Sequence, residues 1–151
     1  MTERLTIRPA RPEDGEMLWH WRNEPSVRKA SLSPDPIPLD RHLDWYEKAL
    51  SDPDRKILVA ELTDQPIGMV RFDHDGDVST VSVLLDARYR GQGLSEPVVA
   101  QAIRASGLAG GKLRAVVKPD NPASLALFRA TGFTVVRDGD PMVMERNGPT
   151  E

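Results

Sequence analysis

Arg88-Tyr89-Arg90-Gly91-Gln92-Gly93-Leu94-Ser95 joins a run of strand character, Val78 to Leu85, to a run with helical spacing, Val98, Val99, Ala102, Ile103 and Leu108. Glycines at such a junction let the backbone come close to a ligand and turn successive N–H groups toward it. The start of the following helix adds a partial positive charge. The segment therefore reads as a pyrophosphate cradle. Ser95 is placed to cap the helix, and Pro97 falls in the first turn, where a missing N–H costs nothing. No Gly-Lys-Ser or Gly-Lys-Thr follows, which excludes a P-loop. No third glycine stands at the dinucleotide-fold spacing. Taken alone, a loop with two glycines is equally an ordinary connection.

Upstream of this loop the pattern is a meander. Ile57 to Ala60, Pro66 to Phe72 and Val78 to Leu85 read as strands, separated by turns at Thr63-Asp64-Gln65 and at Asp73 to Asp77. Before them, Leu5 to Arg8 is a first strand. Asp14 is placed to cap a helix carrying Met17, Leu18 and Trp21, which Pro25 ends or interrupts. Ser33 to Pro38 is a stiff loop. A second helix puts Leu39, Leu43, Tyr46 and Leu50 on one stripe. Downstream, Gly110-Gly111 closes the helix after the loop and Leu113 to Val117 is a strand. Asn121-Pro122 opens a helix that stops at Gly132, and Phe133 to Val136 with Met142 to Met144 form a last hairpin.

The 151 residues suit one domain spanning 1–151. A net charge of −3 with both signs mixed shows no basic block for nucleic acid, so an anionic ligand needs a local site. The absence of cysteine removes disulfides, thiolate metal ligands and thiol nucleophiles. No His and carboxylate cluster has metal-ligand spacing, so no metal is expected. No apolar run reaches the roughly 18 residues of a membrane span, and the N-terminus lacks a signal-peptide core. The expectation is a cytoplasmic enzyme with no membrane or nucleic-acid partner; homodimerisation is left open.

Arg88-x-x-Gly91-x-Gly93 after Val83-Leu84-Leu85-Asp86, followed by Asn121-x-x-Ser124-x-x-Leu127-Phe128-x-x-x-Gly132-Phe133, resembles the two signatures of the GNAT family of N-acetyltransferases. The resemblance covers essentially the whole chain. It implies an α/β (α+β) GNAT fold. A central mixed, mostly antiparallel sheet of about seven strands is flanked by four helices, in the order β-α-α-β-β-β-α-β-α-β-β. It also implies acetyl-CoA as co-substrate and an amine as acceptor. The pantetheine arm is expected in a gap between the fourth and fifth strands, against the backbone of Val83, Leu84 and Leu85. Leu85 is expected to polarise the thioester carbonyl through its backbone. Arg88, Arg90, Gly91, Gln92, Gly93, Leu94 and Ser95 are the implied diphosphate contacts. Asn121 either touches the cofactor arm or simply caps its helix, and Phe128 completes the cofactor set.

Three positions depart from the family's pattern, one of them Glu96, which brings negative charge beside the expected diphosphate. Many members have a tyrosine acid where this chain has Phe128, and a glutamate base where it has Thr80. A thiol of pKa about 8.5 is a tolerable leaving group, so the chemistry survives. Ser124, four residues before Phe128 on the same helix face, can donate a proton or hold a water, or it can merely bond a nearby carbonyl. Asp73 is the preferred base, ahead of His74, His42 and His20. On the acceptor side, Trp21-Arg22-Asn23 followed by Val27-Arg28, then Pro38-Leu39-x-x-His42-Leu43-x-Trp45-Tyr46, and the run Ile67 to Asp73, resemble the PseH-like branch that acts on nucleotide-linked amino sugars. Trp21, Arg22, Asn23, His42, Trp45 and Arg71 are its implied substrate contacts. Aromatic faces stack on a sugar or base and guanidinium groups pair with a diphosphate, although large aromatics as often pack in a core. Alternative acceptors are a protein or peptide N-terminus or another small amine. A non-catalytic acyl-CoA-binding module is the remaining alternative.

Overall fold

The computed structural model describes residues 4–107 and 111–147. Its strands are β1 (Leu5–Pro9), β2 (Arg55–Leu62), β3 (Gln65–Asp75), β4 (Val78–Leu85), β5 (Lys112–Val117), β6 (Thr134–Arg137) and β7 (Met142–Asn147). Its α-helices are α1 (Gly15–Asn23), α2 (Pro25–Ala30), α3 (Leu39–Ser51), α4 (Ser95–Ala105) and α5 (Pro122–Ala130). The strands form one sheet in the order β1-β2-β3-β4-β5-β7-β6. Every neighbouring pair is antiparallel except β4 and β5. Among the described residues no helix is long and apolar enough to cross a membrane.

The sheet separates two apolar clusters. On one face Val98, Val99, Ala102 and Ile103 of α4 and Phe128 of α5 pack with Leu58, Val70, Phe72, Val81 and Leu85. On the other, Leu18 and Trp21 of α1 and Tyr46 and Ala49 of α3 pack on Ile57 and Met69. Period-two alternation along β2, β3 and β4 is what sends neighbouring residues to opposite clusters.

Four local expectations are corrected. Five helices stand where four were expected, because Pro25 opens α2 instead of only ending α1. Glu24 is extended at ψ 132, and the ring of Pro25 sits at the first helical position, where no N–H is needed. The strand β3 runs on to Asp75, so Asp73 and His74 lie in it, and Gly76 at φ +63 takes the turn. The buried stripe of α3 is His42, Tyr46 and Ala49, while Leu43 is 39% exposed. That rotation lets Tyr46 Oη donate to the Arg11 carbonyl at 2.6 Å and His42 Nε2 meet the Gly15 carbonyl at 3.0 Å. Leu108 and Gly110, expected at the end of α4, lie outside the described residues.

The fourth correction concerns Asp14, which does not cap α1 with its side chain. Its carboxylate accepts from Arg11 N–H at 2.8 Å and from both ends of the Arg8 guanidinium at 2.8 and 3.0 Å. Arg8 also reaches Glu61 at 3.1 Å, so the carboxylate ties the turn before α1 to β1 and β2. Burial works against its charge, but the bonds from Arg8 and Arg11 outweigh that and hold the carboxyl below its ordinary value. Asp14→Asn is expected to cost about 3 kcal/mol at pH 7, because it leaves a half-buried guanidinium short of its partner. The folded pKa is depressed, so the wild-type advantage is complete above the ordinary carboxylate value. It disappears as the pH falls through the lowered folded value. Urea denaturation of both proteins from pH 7 to pH 3 checks that the difference narrows as the pH falls below the ordinary carboxylate value.

Candidate functional site

The strands β4 and β5 pair over only three rungs, Val78–Lys112, Ser79–Leu113 and Thr80–Arg114. Beyond them β4 stays with β3 as far as Gly68–Leu85, and β5 stays with β7 as far as Val117–Met142. The two strands therefore part, and a cleft of about 670 Å³ opens between and beside them. Asp86 N–H bonds the Ile67 carbonyl of the β3 side at 2.7 Å. Backbone direction alternates along a strand, so the N–H and C=O groups of Val83 and Leu85 point into the gap. The Leu85 carbonyl already accepts from Arg90 Nε at 3.1 Å; its N–H, with both groups of Val83, is left for a ligand.

At the top of β4, Asp86 accepts from Arg88 N–H at 2.9 Å, from the Arg88 guanidinium at 2.9 and 3.1 Å, and from Trp21 Nε1 at 2.9 Å. Hydrogen bonds from Arg88, against the effect of burial, push the Asp86 carboxyl down to about 2. Arg88 is thus folded back as an anchor of the loop. Gly91 and Gly93 follow at φ +74 and +73, where any side chain is strained although space around both is open. Among the described residues, the N–H groups of Gly91, Gln92, Gly93, Leu94 and Ser95 meet no acceptor. Gln92 Nε2 donates to the Arg88 carbonyl at 3.1 Å. Ser95 does not cap α4. It is the first helical residue after Leu94, whose side chain is drawn onto the core, and it lines the cleft instead. This run of free N–H groups at a helix start fits a diphosphate.

On the β5 side, Asn121 Oδ1 accepts from Ser124 N–H at 3.2 Å and so caps α5, while the residue also lines the cleft. Ser124 lines it too, and its hydroxyl makes no hydrogen bond among the described residues. Phe128 is 4% exposed and packs edge-on to Phe133 at 5.1 Å.

The acceptor side stands on the opposite face of the sheet. Two cross-strand rungs form its floor, Arg55–Asp73–Thr80 and Ile57–Arg71–Ser82. Trp45 covers them with three guanidinium groups about its ring, Arg22 and Arg71 at 5.3 Å and Arg55 at 5.7 Å. Asp73 is shared by Arg71 at 2.9 Å and Arg55 at 3.3 Å. Arg22 has no carboxylate partner among the described residues. Burial first, then the charge of Arg71, lowers its pKa. His42 is 2% exposed and faces the bonded Gly15 carbonyl with Nε2. A carbonyl only accepts, so Nε2 carries the proton and Nδ1 is a buried acceptor without a partner. Burial lowers its pKa and keeps it neutral.

Two expected acceptor contacts stand elsewhere. Trp21 is in the core beneath the cleft with its indole N–H on Asp86. Asn23 spends its amide on the Ile37 main chain, donating at 2.8 Å and accepting at 2.9 Å. The structure brings together Arg22, His42, Trp45, Arg71 and Asp73 on one wall, and Val83, Leu85, Ser95, Asn121, Ser124 and Phe128 on the other. Arg55 and Asp86 were not anticipated. The register opposite Asp73 would have pointed to Arg55, whereas nothing local in the sequence marks Asp86 as the partner of Trp21.

The Acetyltransferase (GNAT) domain family matches residues 4–134. No curated protein matches the chain. Among solved structures, a spermidine N-acetyltransferase from Vibrio cholerae, in complex with CoA and spermine, superposes with a TM-score of 0.83. It is 18% identical over 94% of each chain. The aminoglycoside acetyltransferase AAC(6')-Ib with coenzyme A gives 0.81 at 19% identity over 95% of each chain. A GNAT-family acetyltransferase from Streptococcus pneumoniae gives 0.73 at 24% identity, covering 95% of this chain and 99% of that one. At these identities the superpositions speak for the fold alone. The chain belongs to the GNAT family of acetyltransferases.

Proposed function

We propose that this acetyltransferase moves the acetyl group of acetyl-CoA onto the primary amine of a nucleotide-linked amino sugar. The loop from Gly91 to Ser95 would hold the diphosphate of the co-substrate, and Val83 and Leu85 its pantetheine arm. The observation that carries the acceptor class is Arg22, a half-buried guanidinium beside Trp45 with no carboxylate to answer it. Arg22, Arg71, Arg90 and Lys118 line the cleft; Asp73 is the one carboxylate among the lining residues, and Glu24 answers Arg90 from beside it. The solved relatives named for spermidine and aminoglycosides act on polycations, which this wall would repel. An acceptor that brings an anionic diphosphate and a flat ring suits it.

The chemistry forms a C–N bond and breaks the C–S bond of the thioester. The amine loses a proton and the departing thiolate gains one. The N–H of Leu85 faces the gap and would stabilise charge developing on the carbonyl oxygen. Asp73 and His42 are the groups on the cleft wall able to take the amine proton. Asp73 must share its carboxylate with Arg55 and Arg71 while it does so. Ser124, with a free hydroxyl, is the proposed donor to the thiolate, because Phe128 has no proton to give.

A thiol-release assay over nucleotide-linked amino sugars, free amino sugars, polyamines and peptide N-termini tests the acceptor. Turnover of a polyamine or peptide in preference to the nucleotide-linked sugar would overturn it. With that sugar, Arg22→Gln is expected to raise the acceptor KM about tenfold or more, the size of one lost charge-assisted bond, and to leave the KM for acetyl-CoA unchanged. The loss should shrink with the free amino sugar.

A second prediction concerns the proton path. Ser124→Ala should lower kcat at pH 7 and matter less as the pH approaches the thiol value of about 8.5, where the thiolate leaves unaided. Phe128→Tyr should keep or raise activity. A pH–rate profile unmoved by Ser124→Ala would remove the serine from the mechanism.

A further inference from the structure

The short helix α2 has no buried residue. Even so, Ser26, Val27 and Ala30 from it, and Ser31 to Ser33 just after it, line the acceptor side of the cleft. A helix of this length has too few internal bonds to hold its place alone, and without a buried stripe it lacks the usual packing anchor. Polar contacts at its two ends supply the anchor. At the N-terminal end the Arg90 guanidinium spreads over three partners: the Leu85 carbonyl at 3.1 Å, the Glu24 carboxylate at 3.1 Å and the Ser26 hydroxyl. Glu24 in turn accepts from Ser26. At the C-terminal end Lys118 Nζ donates to the Lys29 carbonyl at 3.1 Å, where a last-turn carbonyl needs a donor. Arg28 Nε adds a bond to the Asn23 carbonyl at 3.1 Å, within the same segment.

The placement of the two cations is informative. Arg90 follows β4 and Lys118 follows β5, the strands that part. The helix therefore reaches from one lip of the gap to the other. We infer that Arg90 and Lys118 are positioning residues for the acceptor: their side chains hold α2 across the mouth of the gap and so place the wall at Ser26, Val27 and Ala30. This rests on the reading that the gap receives acetyl-CoA. Arg90 then has a divided role. Its backbone belongs to the loop that faces the diphosphate, while its guanidinium is committed to α2, so occupancy of the loop and order in the acceptor wall are linked through one residue.

Kinetics on Glu24→Ala, Arg90→Ala, the double variant and Lys118→Met test this, using whichever amine the wild type acetylates. Arg90 and Glu24 are about one-third exposed, 36% and 34%, so each link is modest. Each single variant should raise the acceptor KM about two- to fivefold, and Lys118→Met with Glu24→Ala about tenfold. The KM for acetyl-CoA should stay within about twofold, and the Glu24/Arg90 double variant should be no worse than either single one. Amide exchange at Ser26 to Ala30, which needs no acceptor, should quicken in every variant. A rise in the acetyl-CoA KM for Arg90→Ala with the acceptor KM unchanged would make the guanidinium a diphosphate ligand and overturn the inference. Additive effects in the Glu24/Arg90 double variant, or exchange at α2 that does not move, would overturn it as well. A wrong acceptor class shows itself separately, as a different amine being the one turned over.

Discussion

The molecule depends on a sheet that stops being continuous after three rungs between β4 and β5. Backbone N–H and C=O groups left without partners in a protein interior cost free energy comparable to a lost hydrogen bond each. The parting strands survive because the exposed edges face a cleft, where water or a ligand can answer them. The edge must also be held still, and β3 does this along the whole of β4. Gly68 shows how closely: a Cβ there would come within 2.7 Å of the Leu84 carbonyl oxygen. The gap is therefore a property of a rigid frame and not of a loose joint.

Paired charges then tie the elements around that frame. Among the described residues Asp86 and Asp14 are the two buried carboxylates, and each is satisfied by an arginine from its own neighbourhood and by main-chain N–H. Asp86 also takes the Trp21 indole, so the end of β4 is tied to the last turn of α1. Such pairs contribute less to net stability than their number suggests, because desolvation offsets attraction. Their contribution here is registration. One locks the entrance to α1 against β1, the other locks the acceptor layer against the loop that follows β4.

Legibility in the sequence followed the range of the interaction. Strands β2 to β4 and the glycine loop rest on alternation, turn residues and positive φ, all local, and they stand where the pattern put them, except that β3 runs on through Asp73 and His74 to Asp75. The family and the gap were readable because two signatures lie in register with that order. What was not readable came from contacts distant in the chain. Trp21 has the same periodicity whether its ring meets a substrate or the core, and only Asp86, 65 residues on, decides. Asn23 looked free until the Ile37 main chain occupied it. The stripe of α3 was displaced toward His42 because two side-chain atoms reach main-chain carbonyls, which hydrophobic spacing does not register. Asp14 was placed at the right helix start but serves the turn before it.

The division of the core into two clusters by the sheet carries an evolutionary consequence. Residues of the proposed acceptor wall, such as Arg22, Trp45 and Arg71, hang on the layer of α1 and α3. The layer of α4 and α5 supports the loop and the capping of Asn121. Substitutions in separate layers that share no partner tend to act independently. A lineage can therefore remodel the amine it accepts by drift in one layer while the machinery for the common acyl donor stays intact in the other. Trp21 with Asp86, Arg90 with Glu24 and Lys118 with the Lys29 carbonyl stitch the layers together. Those links set the boundary of that freedom, because each joins an element of one layer to the strands and loop that frame the gap.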